Sequence, residues 1–412
     1  VKVFPLALRT FHEGIRLIET QCHALKIPII ATYSTTSHAG HEYFWAVDGD
    51  ARFIKENLCL LEGSVALGRL FDIDGMKISR TDLGFSTRKC LICNQEAFVC
   101  SRARTHSVKE LLEQECQIMT NYFSKQHARK LSSLSMQALL YEVSVTPKPG
   151  LVDRNNTGAH QDMDIFTFEA SAVSLNHYFE QFALCGIENG HEPFSRIFSR
   201  LRSLGIQAEE TMFRATNQEN THKGLIFSLA IMNGSLGYMY ANHIPYSPDA
   251  LLKINRKLVA DVLEDFNDVT VENARTNGER LYALYGMKGA RGEALSGYHT
   301  VLKKALPVLK HQLDRGLSLN DAGAVTLLYI IAHSEDTNIV NRSSYHSMKK
   351  IQALLRETLN DPEFINKDPI PYIESLDREF IKNNISPGGS ADLLALTFFL
   401  YLFENSGLSS IL

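Results

Sequence analysis

Several features that would assign the chain to a membrane, secreted or nucleic-acid-binding class are missing from the sequence. No apolar run approaches the ~20 residues of a membrane-spanning helix, and the first residues lack the apolar core and cleavage site of a signal peptide. Lys+Arg (42) and Asp+Glu (46) nearly balance, whereas nucleic-acid binding usually comes with a strong basic excess. We therefore expect neither a membrane nor a nucleic acid among its partners. Because the first residue is Val rather than Met, we expect the natural N-terminus to lie upstream.

Cysteine is almost absent from the C-terminal two-thirds of the chain. Six of the seven cysteines lie within the first 116 residues, and only Cys185 follows them. An odd number of cysteines without a secretion signal favours reduced thiols in the cytoplasm. The uneven distribution also indicates two unrelated halves.

Residues 1–124 mix two kinds of pattern. Apolar runs closed by turn residues predict β-strands over 27–33 and 43–47. Apolar residues at helical spacing predict helices over 9–25 and 51–61. We therefore predict an α+β domain over residues 1–124.

From about residue 111 the pattern becomes almost entirely helical. Hardly any strand-like alternation occurs after residue 130. The spacing of apolar residues predicts helices over 111–123, 129–145, 166–185, 194–213, 224–241, 248–264, 298–313, 319–333, 345–359, 371–383 and 391–403. We predict a boundary in the polar stretch 124–127 and an all-α, multi-helix domain over residues 125–412.

Two aspartates of the first domain have a spacing suited to metal binding. Asp72 and Asp74 would point to the same face of a strand, and two such carboxylates favour Mg²⁺. Upstream, Gly63 and Ser64 predict a turn with backbone N–H groups for phosphate. A Gly-Ser turn followed by Asp-x-Asp resembles the signature of the polymerase-β-type nucleotidyltransferases. The alternative is a strand end with two solvated carboxylates.

A basic segment lies beside and beyond this motif. Between Arg80 and Lys109 there are six basic residues and two acidic ones. Guanidinium groups match phosphate oxygens, so we predict that Arg69 and Arg80 bind phosphate. A solvated basic face is the alternative.

Four residues of the same segment have the order of zinc ligands. Cys90, Cys93, Cys100 and His106 form the pattern C-x2-C-x6-C-x5-H. We therefore consider a Zn²⁺ site, with buried, reduced thiols as the alternative, because only one close C-x-x-C pair is present.

The helical domain carries polar clusters that helix packing does not require. Two prolines stiffen a loop that presents Lys148, and a polar segment entering a helix at Lys223 is suited to anions. Helix capping is the alternative for each. The candidate residues are Lys148, His160, Asp162, Asp164, Glu169, Asn220, His222, Lys223, Arg291, Glu293, Asp336, Asn338, Arg342, Gly388, Gly389 and Asp392.

The first domain resembles the holo-citrate lyase synthase family, also called apo-citrate lyase phosphoribosyl-dephospho-CoA transferase. The resemblance covers most of residues 1–120 and lies in the strings GRLFDID, ISRTDLG and RKCLICNQEAFVCSRARTHSVKEL. It implies transfer of a phosphoribosyl-dephospho-CoA arm to a serine of the acyl carrier (gamma) subunit of citrate lyase, with release of pyrophosphate. An Asp pair that binds Mg²⁺ would serve this transfer.

The second domain resembles the triphosphoribosyl-dephospho-CoA synthase family. The resemblance spans about residues 130–412 and lies in the strings TPKPGLVD, GAHQDMD, NTHKG, RGEA, EDTN and SPGGSADLLA. It implies transfer of the triphosphoribosyl group of ATP to the ribose 2′-hydroxyl of 3′-dephospho-CoA, with release of adenine. The basic residues of the candidate set would hold the triphosphate. Its carboxylates would serve the oxocarbenium-like transition state and Mg²⁺, in roles that the sequence leaves open.

We therefore interpret the chain as a fused bifunctional enzyme that makes the citrate lyase prosthetic group and installs it. Two alternatives remain. The first is the equivalent pathway of malonate decarboxylase. The second is a first domain that only docks the acyl carrier protein, which the short segment after Asp74 favours.

Overall fold

One long helix, Val108–Ser144, contains the point at which the chain divides into two units, residues 1–126 and 127–412. The computed structural model describes residues 4–37, 40–75, 77–361, 364 and 367–410. Our prediction of two helices separated at residues 124–127 is wrong, because this polar stretch lies inside the helix. It holds no Gly or Pro that would end a helix, and Lys and Gln are good helix formers.

The first unit combines helices with one small antiparallel sheet, in agreement with the predicted α+β class. In the hairpin Thr32 pairs with Trp45. The carboxylate of Asp50 caps the second helix by accepting a hydrogen bond from the Phe53 N–H at 2.8 Å. The elements are α1 Pro5–Ala24, β1 Ile29–Ser37, β2 Gly40–Val47, α2 Ala51–Ser64, α3 Ala97–Ala103 and α4 Val108–Ser144, with 3₁₀ turns at Ala66–Leu70 and Thr81–Leu83.

The strand predicted for the aspartate pair does not form. Residues 71–75 belong to no strand or helix. The Gly63-Ser64 turn is also wrong, because both residues lie in the last turn of α2. There the Ser64 hydroxyl donates to the carbonyl of Leu61 at 3.0 Å. Backbone N–H groups at this end of a helix are already bonded within it, so they are not available to phosphate.

The buried core of the first unit is small. One cluster contains Ile18, Cys22 and Leu61, and another contains Leu67, Met119 and Phe123. A unit of this size buries a smaller share of its surface than a large domain does, so its stability depends more on other contacts.

The second unit is helical throughout the residues that the structure describes. Three short helices that we did not predict are Asn277–Tyr285, Gly289–Leu295 and Thr337–Arg342. The predicted helix at 248–264 ends at Leu258, and the one at 298–313 begins with a π-helical turn, Val301–Ala305. The helices after α4 are α5 Ile165–Glu188, α6 Phe194–Ala215, α7 Lys223–Ala241, α8 Pro248–Leu258, α9 Asn277–Tyr285, α10 Gly289–Leu295, α11 Leu306–Asp314, α12 Leu319–His333, α13 Thr337–Arg342, α14 Tyr345–Asn360, α15 Ile370–Lys382 and α16 Gly388–Asn405.

Helix α7 lies at the centre of the second unit and packs against α5, α6, α8 and α16. It is long and apolar enough to cross a membrane, but 72% of its apolar window is buried in the protein, as is typical of a core helix. A Cβ atom at Gly186 of α5 would lie 2.0 Å from the carbonyl oxygen of Gly234 of α7. Glycine at this crossing therefore allows the two backbones to touch.

Candidate functional site

A cavity of about 420 Å³ in the second unit gathers most of the residues predicted for it. Its volume is typical of small-molecule sites, which occupy about 300–1,000 Å³. Twelve of the sixteen predicted residues line it, from all six polar segments: Lys148, His160, Asp162, Asn220, His222, Lys223, Glu293, Asn338, Arg342, Gly388, Gly389 and Asp392.

Two long helices begin at this cavity. Helix α7 starts at Lys223 and α16 starts at Gly388, and neither has a side-chain hydrogen bond from its N-cap residue. Asn220 accepts one hydrogen bond from the Lys223 N–H at 3.2 Å. In the first turn of α16 the Ser390 N–H is bonded to Asp336, and the N–H groups that remain, with the dipole at a helix N-terminus, favour phosphate. The cavity is therefore suited to a polyphosphate.

Lys148 forms a buried ion pair at the wall of the cavity. Its ammonium group lies 2.5 Å from a carboxylate oxygen of Glu142, and both side chains are almost fully buried. Burial raises the pKa of Glu142, while the charge of Lys148 lowers it. The backbone N–H of Lys148 donates to Asp153 at 3.1 Å, so the loop that we predicted to present this lysine is held in place.

His160 and Arg342 belong to one hydrogen-bond network, and the donors in this network determine which ring nitrogen of His160 carries the proton. The guanidinium of Arg342 lies 3.0 Å from Nδ1 of His160, and it can only donate. Nδ1 therefore accepts, and Nε2 carries the proton that it shares with the Ser386 hydroxyl at 2.9 Å. Burial, followed by the charge of Arg342, lowers the pKa of His160, so the ring is neutral at physiological pH.

His222 presents one unpaired ring nitrogen at the cavity. Nδ1 contacts the Ser171 hydroxyl at 2.7 Å, while the buried Nε2 has no hydrogen-bond partner among the described residues. Burial, with a smaller contribution from the charge of Lys148, lowers the pKa of His222 to about 3. His222 is therefore a neutral hydrogen-bonding group for a ligand and not a cation.

Two carboxyl groups of the cavity have raised pKa values. Burial raises the pKa of Asp392 well above its ordinary value, and the charges of Glu142 and Asp336 raise it further. Burial also raises the pKa of Glu293. One oxygen of Glu293 accepts from the Thr300 hydroxyl at 2.8 Å, while the other is buried and has no hydrogen-bond partner in the part of the chain that the structure describes. Carboxyls of this kind are suited to proton transfer near neutral pH.

Four of the predicted residues are not part of the cavity lining, and three of them, Asp164, Glu169 and Arg291, have local positions that the contacts describe. Asp164 is the N-cap of α5 and forms a capping box with Thr167, which is the alternative that the sequence left open for this carboxylate. Glu169 lies in the same helix. The guanidinium of Arg291 lies 4.6 Å from the ring centre of Phe266.

Asp336 lies beneath the cavity and connects two of its walls. One carboxylate oxygen accepts from the N–H groups of Asn338 and Ile339 at the start of α13. The other accepts from the N–H and the hydroxyl of Ser390, in α16, at 2.7 and 2.8 Å. With four donors around it, Asp336 positions Asn338 and the start of α16.

Sequence reasoning missed several polar residues of the cavity. The signal for Glu335 and Ser386 was present, because they lie in the EDTN segment and directly before PGGSAD. Glu142 carries no such signal, since it lies in the last turns of a long helix. The missed polar residues that line the cavity are Glu142, Glu219, Thr221, Ser228, Ser334, Glu335, Thr337 and Ser386.

In the first unit a buried glutamate organises the basic segment. Glu62 accepts from Arg80 at 2.7 Å and from Arg88 at 2.6 Å. Arg88 also lies 3.3 Å from the carboxylate of Asp72, whose side chain is 95% exposed. The structure thus brings Asp72 and the arginines together at the surface. Arginines paired in this way keep further N–H groups for an anion.

The other predicted residues of this region have local contacts. Arg69 donates to the carbonyl oxygens of Lys89 at 2.8 Å and Cys90 at 2.6 Å. The exposed Asp74 accepts from the N–H of Gly75 at 2.9 Å. These contacts position the segment without requiring a ligand.

The four predicted zinc ligands lie together in the first unit. The sulfur atoms of Cys90, Cys93 and Cys100 and a ring nitrogen of His106 all lie within 4.8 Å of one another. Backbone N–H groups of Cys93 and Ile92 lower the pKa of Cys90 to about 6. All seven cysteines of the chain are free thiols.

The cavity of the second unit has the features of a polyphosphate site, and two protein families identify the chain as a transferase. Residues 128–410 match the family described as ATP:dephospho-CoA triphosphoribosyl transferase. Residues 1–122 match the family described as apo-citrate lyase phosphoribosyl-dephospho-CoA transferase.

Curated relatives match most of the chain. "Protein CitXG" of Haemophilus influenzae is 35% identical over 420 residues, covering 98% of this chain and 87% of the relative. "Protein CitXG" of Leuconostoc mesenteroides is 35% identical over 382 residues, covering 88% and 80%. The 2-(5''-triphosphoribosyl)-3'-dephosphocoenzyme-A synthase of Haemophilus ducreyi is 37% identical over 325 residues, covering 75% and 98%.

The chain therefore belongs to the family in which these two transferases are fused, with the apo-citrate lyase transferase first and the triphosphoribosyl-dephospho-CoA synthase second. It is a bifunctional transferase in the biosynthesis of the citrate lyase prosthetic group, as the resemblance predicted.

Proposed function

We propose that the cavity of the second unit binds ATP and 3′-dephospho-CoA side by side and transfers the triphosphoribosyl group between them. The observation that supports this most is the meeting of six separate polar segments in one cavity of about 420 Å³. The triphosphate lies at the N-termini of α7 and α16, where Lys223 and Arg342 add positive charge.

Asp392 and Glu293 carry the proton transfers of this reaction. The bond between ribose C1′ and adenine N9 breaks, and the 2′-hydroxyl oxygen of dephospho-CoA forms the new bond to C1′. Asp392, whose pKa is raised more strongly, is protonated and gives its proton to the leaving adenine. Glu293 accepts the hydroxyl proton and, while ionised, stabilises the positive charge at C1′.

Mg²⁺ fits the cavity by the chemistry of its side chains. Carboxylates outnumber cationic side chains in the lining of the cavity. Asp162, Glu219 and Glu335 belong to this lining and have no role in the proposed proton transfers. Mg²⁺ usually takes only one or two carboxylates and fills its other positions with phosphate and water. When bound, it neutralises the triphosphate. Asp162 and Glu335 are the residues that we propose to hold it.

For the first unit we propose a nucleotidyltransferase-like reaction at Asp72 and Asp74. A serine of the acyl carrier subunit attacks the α-phosphorus of the triphosphoribosyl group, which is the phosphorus bonded to the ribose. The bond from this phosphorus to the oxygen of pyrophosphate breaks, pyrophosphate leaves, and the serine proton passes to solvent. Two exposed carboxylates fit a Mg²⁺ ion shared with substrate phosphates. Arg80 and Arg88, held by Glu62, bind the departing phosphates.

Two coupled assays test both reactions. The full chain with ATP, Mg²⁺ and 3′-dephospho-CoA should release adenine, and the absence of adenine would refute the synthase assignment. Adding the apo carrier subunit of citrate lyase should then give a carrier of higher mass together with pyrophosphate. The carrier subunit of malonate decarboxylase, tested in parallel, should gain no mass.

Variants separate catalysis by the first unit from docking. Asp72→Asn and Asp74→Asn should abolish the mass shift and leave adenine release unchanged. Asp48→Asn, an exposed aspartate of the same unit, is the matched control and should retain both activities. Adenine release without a mass shift in the unmodified protein would instead support a first unit that only docks the carrier.

A further inference from the structure

We propose that the first unit binds one structural Zn²⁺ ion between Cys90, Cys93, Cys100 and His106. Neither transferase reaction uses these residues, and the site is independent of the function proposed above. The four ligand atoms lie within 4.8 Å of one another. Four protein ligands, with no position left for water or substrate, characterise a structural zinc site rather than a catalytic one.

The distances between the sulfur atoms agree with a tetrahedral ion. Ligands at about 2.3 Å from zinc lie about 3.8 Å apart in a tetrahedron. Cys100 Sγ lies 3.4 Å from Cys90 Sγ and 4.0 Å from Cys93 Sγ. A disulfide would require about 2.05 Å. The cluster is therefore spread too widely for a covalent bond and closely enough for a shared ion.

The backbone around the first two cysteines is built as a tight turn. A bridge between Lys89 and Glu96 closes it, with the Cys90 N–H donating to the carbonyl of Gln95 at 2.8 Å. The N–H of Ile92 points at the sulfur of Cys90 at 3.4 Å. N–H groups directed at a ligand sulfur support a metal-bound thiolate, and such outer contacts orient the ligands.

The other two ligands come from the short helix α3 and the chain that follows it. Cys100 lies in α3 and is buried. Arg104 has a φ of 48° and ends the helix, and the Thr105 N–H returns to the carbonyl of Cys100 at 3.2 Å. This turn brings His106 back to the cysteines. Its buried Nε2 has no hydrogen-bond partner among the described residues, which is costly for a polar atom unless a ligand is bound.

A metal ion also explains how this part of the chain holds its shape. Among the described residues between 71 and 96, the only regular element is the 3₁₀ turn Thr81–Leu83, and the apolar clusters of the unit are small. Small units of this kind use metals in place of core area. Three thiolates and one neutral imidazole suit Zn²⁺ in ligand type and geometry.

The test is metal analysis of the full chain purified without chelators. We expect about one zinc ion per chain. Exchange of zinc for Co²⁺ should give the thiolate-to-cobalt absorption band and the visible bands of a tetrahedral ion. Cys93→Ser should lower the bound zinc to near zero and lower the melting temperature of the first unit. Cys116→Ser changes an equally half-buried cysteine outside the cluster and should keep the metal.

Adenine release provides the independent readout. The second unit should release adenine normally in the Cys93→Ser variant, which shows that the loss of metal leaves the second unit folded. The proposal is overturned if the reduced wild-type chain contains little zinc and gives no thiolate–cobalt band after loading. It is overturned equally if Cys116→Ser loses as much zinc as Cys93→Ser.

Discussion

Replacing Gly224 by Ala should displace a reacting carboxyl group without harming the fold. Gly224 is the second residue of α7, and a Cβ atom there would lie 2.3 Å from Oδ2 of Asp392. Non-bonded carbon and oxygen atoms rarely approach closer than about 3.3 Å, so the carboxyl group must move by about 1 Å. Alanine is also a better helix former than glycine, so the helix itself does not suffer.

The expected effect is a loss of turnover and not of binding. A misplacement of about 1 Å at a reacting centre costs on the order of 10²-fold in rate, equivalent to about 2.7 kcal/mol of transition-state stabilisation. We therefore expect kcat for adenine release to fall by that factor in Gly224→Ala, with much smaller changes in KM for ATP and dephospho-CoA. The assay is steady-state adenine release together with the melting temperature of each variant.

Gly278→Ala is the matched control. Gly278 is also the second residue of a helix, Asn277–Tyr285, and the nearest atom to its added Cβ would be Thr276 Oγ1 at 3.9 Å. This variant should retain full turnover. If a folded Gly224→Ala protein released adenine as fast as Gly278→Ala, the placement of Asp392 at the reacting atoms would be refuted. Asp392→Asn provides a second route to the same conclusion and should lower kcat by about 10²–10⁴-fold.

Three further predictions concern the same cavity. Lys148→Met should destabilise the protein by about 3–5 kcal/mol in urea unfolding, because Glu142 is left buried without its partner, and adding Glu142→Leu should restore most of that stability. The pH profile of kcat should be bell-shaped, because activity falls with decreasing pH as Glu293 is protonated and falls with increasing pH as Asp392 loses its proton. Both limbs of the profile should lie above the usual pH range of carboxyl groups, since burial raises the pKa values of both residues. Arg342→Lys should raise KM for ATP about tenfold. A lysine ammonium group cannot form the hydrogen bonds of the guanidinium to the loop that carries His160 and to phosphate at the same time.

Each of these expectations has an outcome that contradicts it. A Lys148→Met/Glu142→Leu double variant as unstable as Lys148→Met would show that the unpaired Glu142 is not the cause of the loss. A pH profile that is flat on the alkaline side would remove the acid role of Asp392. A change in kcat alone for Arg342→Lys, with KM unaltered, would place Arg342 away from the triphosphate.

The sequence indicates the cavity of the second unit better than it indicates the site of the first. The polar segments of the second unit are easy to recognise in the sequence because they interrupt apolar helices. Where the ends of such helices lie close together, the polar residues at those ends form one site. Which carboxylate reacts could not be predicted, because Asp164 and Asp336 have the same sequence context as Asp162 and Asp392. Only the structure shows that Asp164 caps α5 and that Asp336 joins α13 to α16.

The first unit was harder to predict because its regular structure is sparse. The spacing of Asp72 and Asp74 is compatible with a strand, but strand formation depends on a partner strand, and residues 71–75 have none. Helix α2 runs through Gly63 and Ser64 because its apolar residues continue as far as Leu61. A local pattern of two residues was outweighed by the helix around it.

The two proposed sites differ in exposure because their acceptors differ in size: the second unit acts on a small molecule and the first on another protein. A ribosyl transfer through an oxocarbenium-like state has to exclude water, which would otherwise take the place of the 2′-hydroxyl. The carboxyls proposed for it, Asp392 and Glu293, lie in a walled cavity whose desolvation raises their pKa values. Transfer to a serine on another protein requires a surface that the protein can reach, and the side chain of Asp72 is 95% exposed. An enclosed site in the first unit would therefore keep the carrier protein out, and an exposed site in the second unit would admit the water that competes with the 2′-hydroxyl.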